Sequence, residues 1–158
     1  DILQRSRSRA LLFWPGFKGI DFAGVLAACD PHALDHLESL IVYDESGASP
    51  PATLLAKAAL SYSALAASAP LAESRAAPHA GCAIFTTSGT TKTPKFVLHD
   101  QRTVLAHSFD VARSFGIGGD AVMLLAPPLC GVFGFCSAMA AMAAGCPLVI
   151  APACSWSA

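Results

Sequence analysis

Charge is scarce in this 158-residue chain. Asp, Glu, Lys and Arg together make up 13% of it, about half the usual share of roughly 25% in a soluble protein. The formal net charge is −1. Beyond the short alternation Arg5, Arg7, Arg9 there is no basic cluster, so the positive surface that neutralises phosphates in a nucleic-acid binder is missing. Nucleic acid is not expected as a partner. None of the spacings among Cys29, Cys82, Cys130, Cys136, Cys146 and Cys154 is Cys-x-x-Cys, which argues against a zinc or dithiol site. The six are expected to be reduced and mostly buried. No signal-peptide pattern opens the chain and no disulfide framework is implied, so a cytoplasmic location is expected. The nucleophile elbow G-x-S-x-G of α/β hydrolases is also absent. His32 and His36 stand at i, i+4, a spacing that suits a metal, but no third ligand is evident. They are expected on a solvated helix face, and no metal site is expected.

What the chain has instead is apolar residue, 54% of it, arranged in strand-length runs that alternate with helical stretches. This is the α/β rhythm. Ala10 to Trp14 reads as a strand closed by Pro15-Gly16, Asp21 to Cys29 as a helical segment, and Leu40 to Tyr43 as the next strand. The alanine-rich stretch from Ala52 to Ala69 has helix-forming composition and is expected to be a helix. Residues 69–80, with Pro70 and Pro78, read as an internal loop or linker. Gly81 to Thr86 is a strand. Asp100 reads as the N-cap of a helix on one face of which Val104, Ser108, Val111 and Phe115 fall.

From Ala121 to Ala158 there is no charged residue. Within it, Leu129 to Cys146 is a proline-free apolar run of about the length that spans a bilayer, so a membrane-anchored module through 129–146 is an alternative of a different class. Gly131 and Gly134 interrupt the run, and Gly145 and Pro147 close it. Strands buried on both faces also read as continuous apolar runs, so a buried core is the preferred reading.

Only four lysines occur, Lys18, Lys57, Lys92 and Lys95, and two of them fall in one loop. That loop is Thr87-Ser88-Gly89-Thr90-Thr91-Lys92-Thr93-Pro94-Lys95-Phe96. Phosphate oxygens act as acceptors, so a loop that holds them needs backbone N–H groups, hydroxyl donors and positive charge. This loop has all three. Gly89 allows close backbone approach, and Lys95 is a mobile point charge. It is not a Walker A loop: counting from Gly89, Pro94 stands at the second glycine and Phe96 at the magnesium-binding Ser or Thr.

These residues resemble the signature of the adenylate-forming superfamily, roughly T-S-G-T-T-G-x-P-K-G, whose members include acyl-CoA synthetases, peptide-synthetase adenylation domains and beetle luciferases. Thr87 to Thr91, Pro94 and Lys95 match, while Lys92 and Phe96 replace glycines. Val97-Leu98-His99 followed by Asp100-Gln101-Arg102 resembles the family's strand and helix start, and Pro128-Leu129-Cys130-Gly131-Val132-Phe133-Gly134 resembles its next motif, with Cys130 and Gly131 where an aromatic and a histidine are common; Phe135 to Ala144 and Pro147 to Ala151 would supply the buried helix and short strand that follow in the family. The resemblance implies a layered α/β fold with a mainly parallel sheet flanked by helices. Residues 1–158 would then be one partial AMP-binding domain, an internal fragment of the large N-terminal domain.

It also implies chemistry: a small-molecule carboxylic acid is activated by ATP, with Mg2+, to an acyl-adenylate and passed to coenzyme A. Thr87, Ser88, Gly89, Thr90, Thr91 and Lys92 would cradle phosphate, and Lys95 would be the mobile catalytic cation. Thr90-Thr91 leans towards an acyl- or aryl-CoA ligase; a peptide-synthetase adenylation domain or a non-catalytic nucleotide-binding module are the alternatives. The family's later motifs and C-terminal domain are missing from this chain. The missing remainder of the parent is thus an implied partner, and the fragment alone is expected to be inactive.

Overall fold

The computed structural model describes residues 2–47, 50, 52–74, 76–87 and 93–150. The chain divides into two units, Asp1–Ala72 and Glu73–Ala158.

The first unit contains helix α1 (Ile2–Ser6), strand β1 (Ala10–Phe13), helix α2 (Phe22–Ala27), strands β2 (Ser39–Val42), β3 (Thr53–Leu54) and β4 (Lys57–Ser61), and helix α3 (Tyr62–Ala66). Its sheet has the order β1-β2-β4-β3. β1, β2 and β4 are parallel, and β3 lies antiparallel on the edge of β4. The central strand β2 sets the core by period-two alternation: Leu40 and Val42 are buried while Ser39 and Ile41 are half-buried, as expected where successive side chains point to opposite faces. Leu40 packs with Leu34 and Leu37, and Leu3, Leu11 and Phe13 close around them. Each such buried leucine contributes roughly 1.5–3 kcal/mol.

Local caps fix the connections. Asp21 accepts a hydrogen bond from the Gly24 N–H at 2.8 Å and starts α2. Asp30 accepts from the His32 N–H at 2.9 Å and starts a single 3-10 turn, Pro31–Leu34. Arg9 and Glu38 form a two-pronged ion pair at 2.9 Å on the surface beside β1 and β2.

The single helix expected over Ala52 to Ala69 is not what forms. The segment is a hairpin, β3 to β4, followed by the short α3. Leu55 and Ala56 both adopt positive φ, 54° and 57°, the arrangement of a tight two-residue hairpin turn. Helix propensity is a weak prior, and here the open edge of β2 offers a full ladder from Ser39 to Val42 for Ala58 to Ser61, which overrides it. One further feature was not legible in the sequence. β1, β2 and β4 are each followed at once by an aromatic residue, and the rings of Trp14, Tyr43 and Tyr62 meet edge to face at 5.3 and 5.7 Å along the carboxyl edge of the sheet.

The second unit contains strands β5 (Gly81–Thr87) and β6 (Lys95–Asp100), helix α4 (Gln101–Ser114), strand β7 (Met123–Leu125), helix α5 (Val132–Ala144) and strand β8 (Leu148–Ile150). β5 and β6 form an antiparallel hairpin, and β7 and β8 a parallel pair. Asp100 caps α4 as expected: its carboxylate accepts from the Thr103 N–H at 2.7 Å. The buried face of α4 carries Val104, Ser108 and Ala112. Phe115 does not belong to it and is 79% exposed. α4 ends at Ser114, and Gly116 turns the backbone with φ 63°, so Phe115 leaves the face its spacing assigned to it. The buried Ser108 hydroxyl is satisfied by donating to the Val104 carbonyl at 2.6 Å.

α4 and α5 pack on each other, and α5 buries small residues, Gly134, Ala138, Ala140 and Ala141. Gly134 is required by close approach. A Cβ there would stand 2.2 Å from the Pro128 carbonyl oxygen. Gly145 ends α5 in the left-handed conformation with φ 70°, the usual helix stop. α5 has 13 residues, roughly 20 Å at 1.5 Å per residue, against about 30 Å of bilayer hydrocarbon. Among the described residues no helix is long and apolar enough to cross a membrane. The cysteines depart from expectation: Cys146 is buried, Cys29 and Cys136 are half-buried, and Cys82 and Cys130 are exposed, all five without disulfides. Cys154 lies outside the described residues.

Candidate functional site

The β5–β6 hairpin carries the candidate phosphate loop at its tip. Thr87 is the last residue of β5 and Lys95 the first of β6, and the two are direct partners in the ladder. Both are exposed. Ser88, Gly89, Thr90, Thr91 and Lys92 lie outside the described residues. The hairpin therefore brings one hydroxyl and one ammonium together at the base of the loop, a donor set suited to phosphate oxygens. Phe96 pairs with Thr86 on the opposite face of the hairpin, so its side chain does not share the face of Lys95.

Alternation along the hairpin extends this face away from the loop. The partners Thr87 and Lys95, Phe85 and Val97, and Ala83 and His99 follow one another in register, and directly paired residues of antiparallel strands share a face. Phe85 is two residues, roughly 7 Å, from Thr87. The rings of Phe85 and His99 meet edge to face at 5.9 Å, and Phe85 meets Phe135 of α5 at 5.2 Å. These three form one wall of a cavity of about 250 Å3 that α4 and α5 complete with Val104, His107, Ser108, Val132, Cys136 and Met139.

Sequence reasoning missed this cavity. No sequence pattern gave His99 or His107 a role, although the spacing of Phe85 from Thr87 already placed the phenyl ring on the same face as the loop hydroxyl. The partners of His107 across the cavity come from α5, more than twenty residues on, and no local pattern announces them.

At the start of α4, hydrogen bonds from the Thr103 hydroxyl and N–H hold the Asp100 carboxyl below its ordinary pKa, with a smaller contribution from His79 at 3.4 Å. Among the described residues no group of three or more His, Cys, Asp or Glu could hold a metal ion. His32 lies 3.5 Å from Asp35 on an exposed surface.

The chain matches the AMP-binding enzymes over residues 1–155. Comparison with curated proteins gives no match. Among solved structures, a Rhodopseudomonas palustris protein assigned as a long-chain-fatty-acid CoA ligase is similar with a TM-score of 0.72 at 18% identity, covering 98% of this chain and 35% of that one. Acetoacetyl-CoA synthetase from Streptomyces lividans gives 0.72 at 16% identity, over 94% of this chain and 23% of that one. An anthranilate CoA ligase in complex with anthranoyl-AMP gives 0.68 at 21% identity, over 97% and 28%. The chain thus spans about a third or less of each of these proteins. Such identities speak for the fold, a mixed α/β domain with a parallel sheet flanked by helices, while the family match runs through nearly every residue, loop and flanking elements included: the chain belongs to the AMP-binding enzymes.

Proposed function

We propose that this chain is part of an AMP-forming ligase that activates a carboxylic acid with ATP and passes the acyl group to coenzyme A. The observation that carries the reading is the direct pairing of Thr87 with Lys95 at the base of the loop. In the proposed step a carboxylate oxygen bonds to the α-phosphorus of ATP, the bond from that phosphorus to the bridging oxygen breaks, and pyrophosphate leaves with the electron pair. Negative charge accumulates on the departing phosphates, and preorganised donors aimed at it lower the barrier.

In this assignment Lys95 supplies the mobile charge, Thr87 a hydroxyl donor, and Ser88, Gly89, Thr90 and Thr91 further donors of the same cradle. Lys92 adds a second cation. Magnesium would arrive on the nucleotide phosphates, its common mode of binding in nucleotide sites. No residue of this chain is assigned to coenzyme A. The parent is taken to be cytoplasmic.

The same hairpin face provides a place for the acid. With Thr87 and Lys95 engaged by the departing phosphates, the apolar cavity beyond Phe85 on the same face is the place this reading gives the organic part of the acid. The test is pyrophosphate release from ATP by the full-length parent, measured against a panel of aliphatic and aromatic carboxylates with the Lys95→Ala variant alongside. Acid-dependent release that weakens in the variant is expected. No release with any acid would replace this reading with that of a nucleotide-binding module without catalysis.

A further inference from the structure

We propose that the carboxyl edge of the first unit's sheet carries a site for a cationic side chain, arginine ahead of lysine, presented by a basic segment of another polypeptide. The site forms where β2 and β4 end side by side. Val42 and Ser61 are the last partners of that parallel ladder, so the residues that follow them, Tyr43 and Tyr62, leave the sheet as neighbours. Ligands of open α/β sheets bind outside the carboxyl ends of the strands. Here Tyr43, Asp44, Ser61, Tyr62 and Ser63 line a cavity of about 50 Å3. Roughly 150 Å3 of apolar space holds benzene, so this one takes the few heavy atoms of an ammonium or guanidinium head and excludes anything as large as a nucleotide base.

The lining decides the sign of the charge. Among the described residues it consists of a carboxylate, hydroxyls, tyrosine rings and backbone, with no lysine, arginine or histidine. The Ser46 hydroxyl and N–H both donate to Oδ1 of Asp44, and these bonds hold the carboxyl below its ordinary pKa. Asp44 is therefore ionised at neutral pH, and Oδ2 keeps its lone pairs for a further donor. The Ser63 hydroxyl donates its hydrogen to Ser61 at 3.3 Å, which leaves it an acceptor towards an incoming group.

Ring geometry makes the cation an organic one. Tyr43 and Tyr62 stand edge to face, their centroids 5.7 Å apart at an interplanar angle of 69°, so they form two walls of a corner. They are 38% and 43% exposed, which leaves the corner open to a ligand. A cation within about 6 Å of a ring centroid is attracted to its face, arginine more often than lysine. A guanidinium can stack on the ring while its fork reaches a carboxylate. A free small cation would gain only these contacts against the cost of association. A polypeptide adds more, along Trp14, which continues the row of rings at 5.3 Å, and at the exposed Glu45.

The full-length parent would be titrated by peptide-observed NMR with a blocked five-residue alanine peptide carrying one central arginine, and with its lysine and glutamate counterparts. The arginine peptide is expected to bind saturably, the lysine peptide at least two-fold more weakly, and the glutamate peptide not at all. Asp44→Asn keeps the Oδ1 acceptor of the turn but removes the charge, and should weaken arginine binding five-fold or more. Tyr62→Leu should do the same, while Tyr62→Phe, which keeps the ring, stays within two-fold of wild type. No saturable binding of the arginine peptide, equal binding of the glutamate peptide, or binding indifferent to Asp44→Asn would overturn the site. The titration needs no turnover and uses no residue of the phosphate loop, so its outcome is separate from that of the ligase reading.

Discussion

Thr87 and Lys95 are paired across the last rung of the β5–β6 hairpin, so the hydroxyl and the ammonium leave the same face at the two ends of one loop. A cation fixed by its backbone at the mouth of a loop and free along its four-carbon stem can follow charge as it moves onto a leaving group. Lys95→Ala is therefore predicted to lower kcat for acid-dependent pyrophosphate release by about 10²- to 10³-fold, the scale for removing one preorganised donor. Steady-state kinetics on the full-length parent would check this, and a loss confined to the KM for the acid would assign Lys95 to the wrong step.

Lys92 occupies a position where the family pattern has glycine, and its proposed role is a second phosphate contact. Lys92→Gly is predicted to raise the KM for ATP several-fold while leaving the KM for the acid alone. Unchanged or tighter use of ATP in the same assay would mean that Lys92 only stiffens the loop.

Much of this architecture was legible before the structure, and the failures have physical causes. Asp100 as a helix cap, Gly145 as a helix stop and the strands around the loop are local signals, each decided by a few adjacent residues. The stretch Ala52 to Ala69 misled because alanine favours helix only where tertiary pairing does not compete, and the edge of β2 does compete. Phe115 misled because periodicity does not say where a helix ends; the turn at Gly116 decides that. The cavity was invisible for a related reason. Its lining comes from two strands and two helices, and only the fold brings Phe85, His107 and Phe135 together.

Gly134 lies in the segment Pro128 to Gly134 that resembles a family motif, and the structure gives it a packing role. A Cβ at this position would meet the Pro128 carbonyl oxygen at 2.2 Å and its carbonyl carbon at 2.6 Å. Both are backbone atoms that cannot rotate away. Gly134→Ala is accordingly predicted to destabilise the protein by about 1–3 kcal/mol, the usual cost of overpacking, despite the better helix propensity of alanine. Denaturant unfolding of both proteins would measure it. A variant as stable as wild type would show that the turn at Pro127-Pro128 yields easily.

Acid should loosen the start of α4 through Asp100. The Thr103 hydroxyl and N–H, and to a smaller extent His79, favour the charged carboxylate and lower its pKa in the folded state. A group whose folded pKa is depressed contributes stability above its unfolded value, near 3.9 for Asp. That contribution is lost as the pH falls through the lower, folded value. Asp100→Asn keeps a capping oxygen, since Asn and Asp are comparable N-caps, but it carries no charge to titrate. Wild type is thus predicted to be the more stable of the two at pH 7, with the difference shrinking as the pH is lowered from about 5 towards 3. Urea unfolding midpoints measured for both proteins across that range give the comparison. A difference that stays constant with pH would show that Asp100 acts through its shape as a cap and not through its charge.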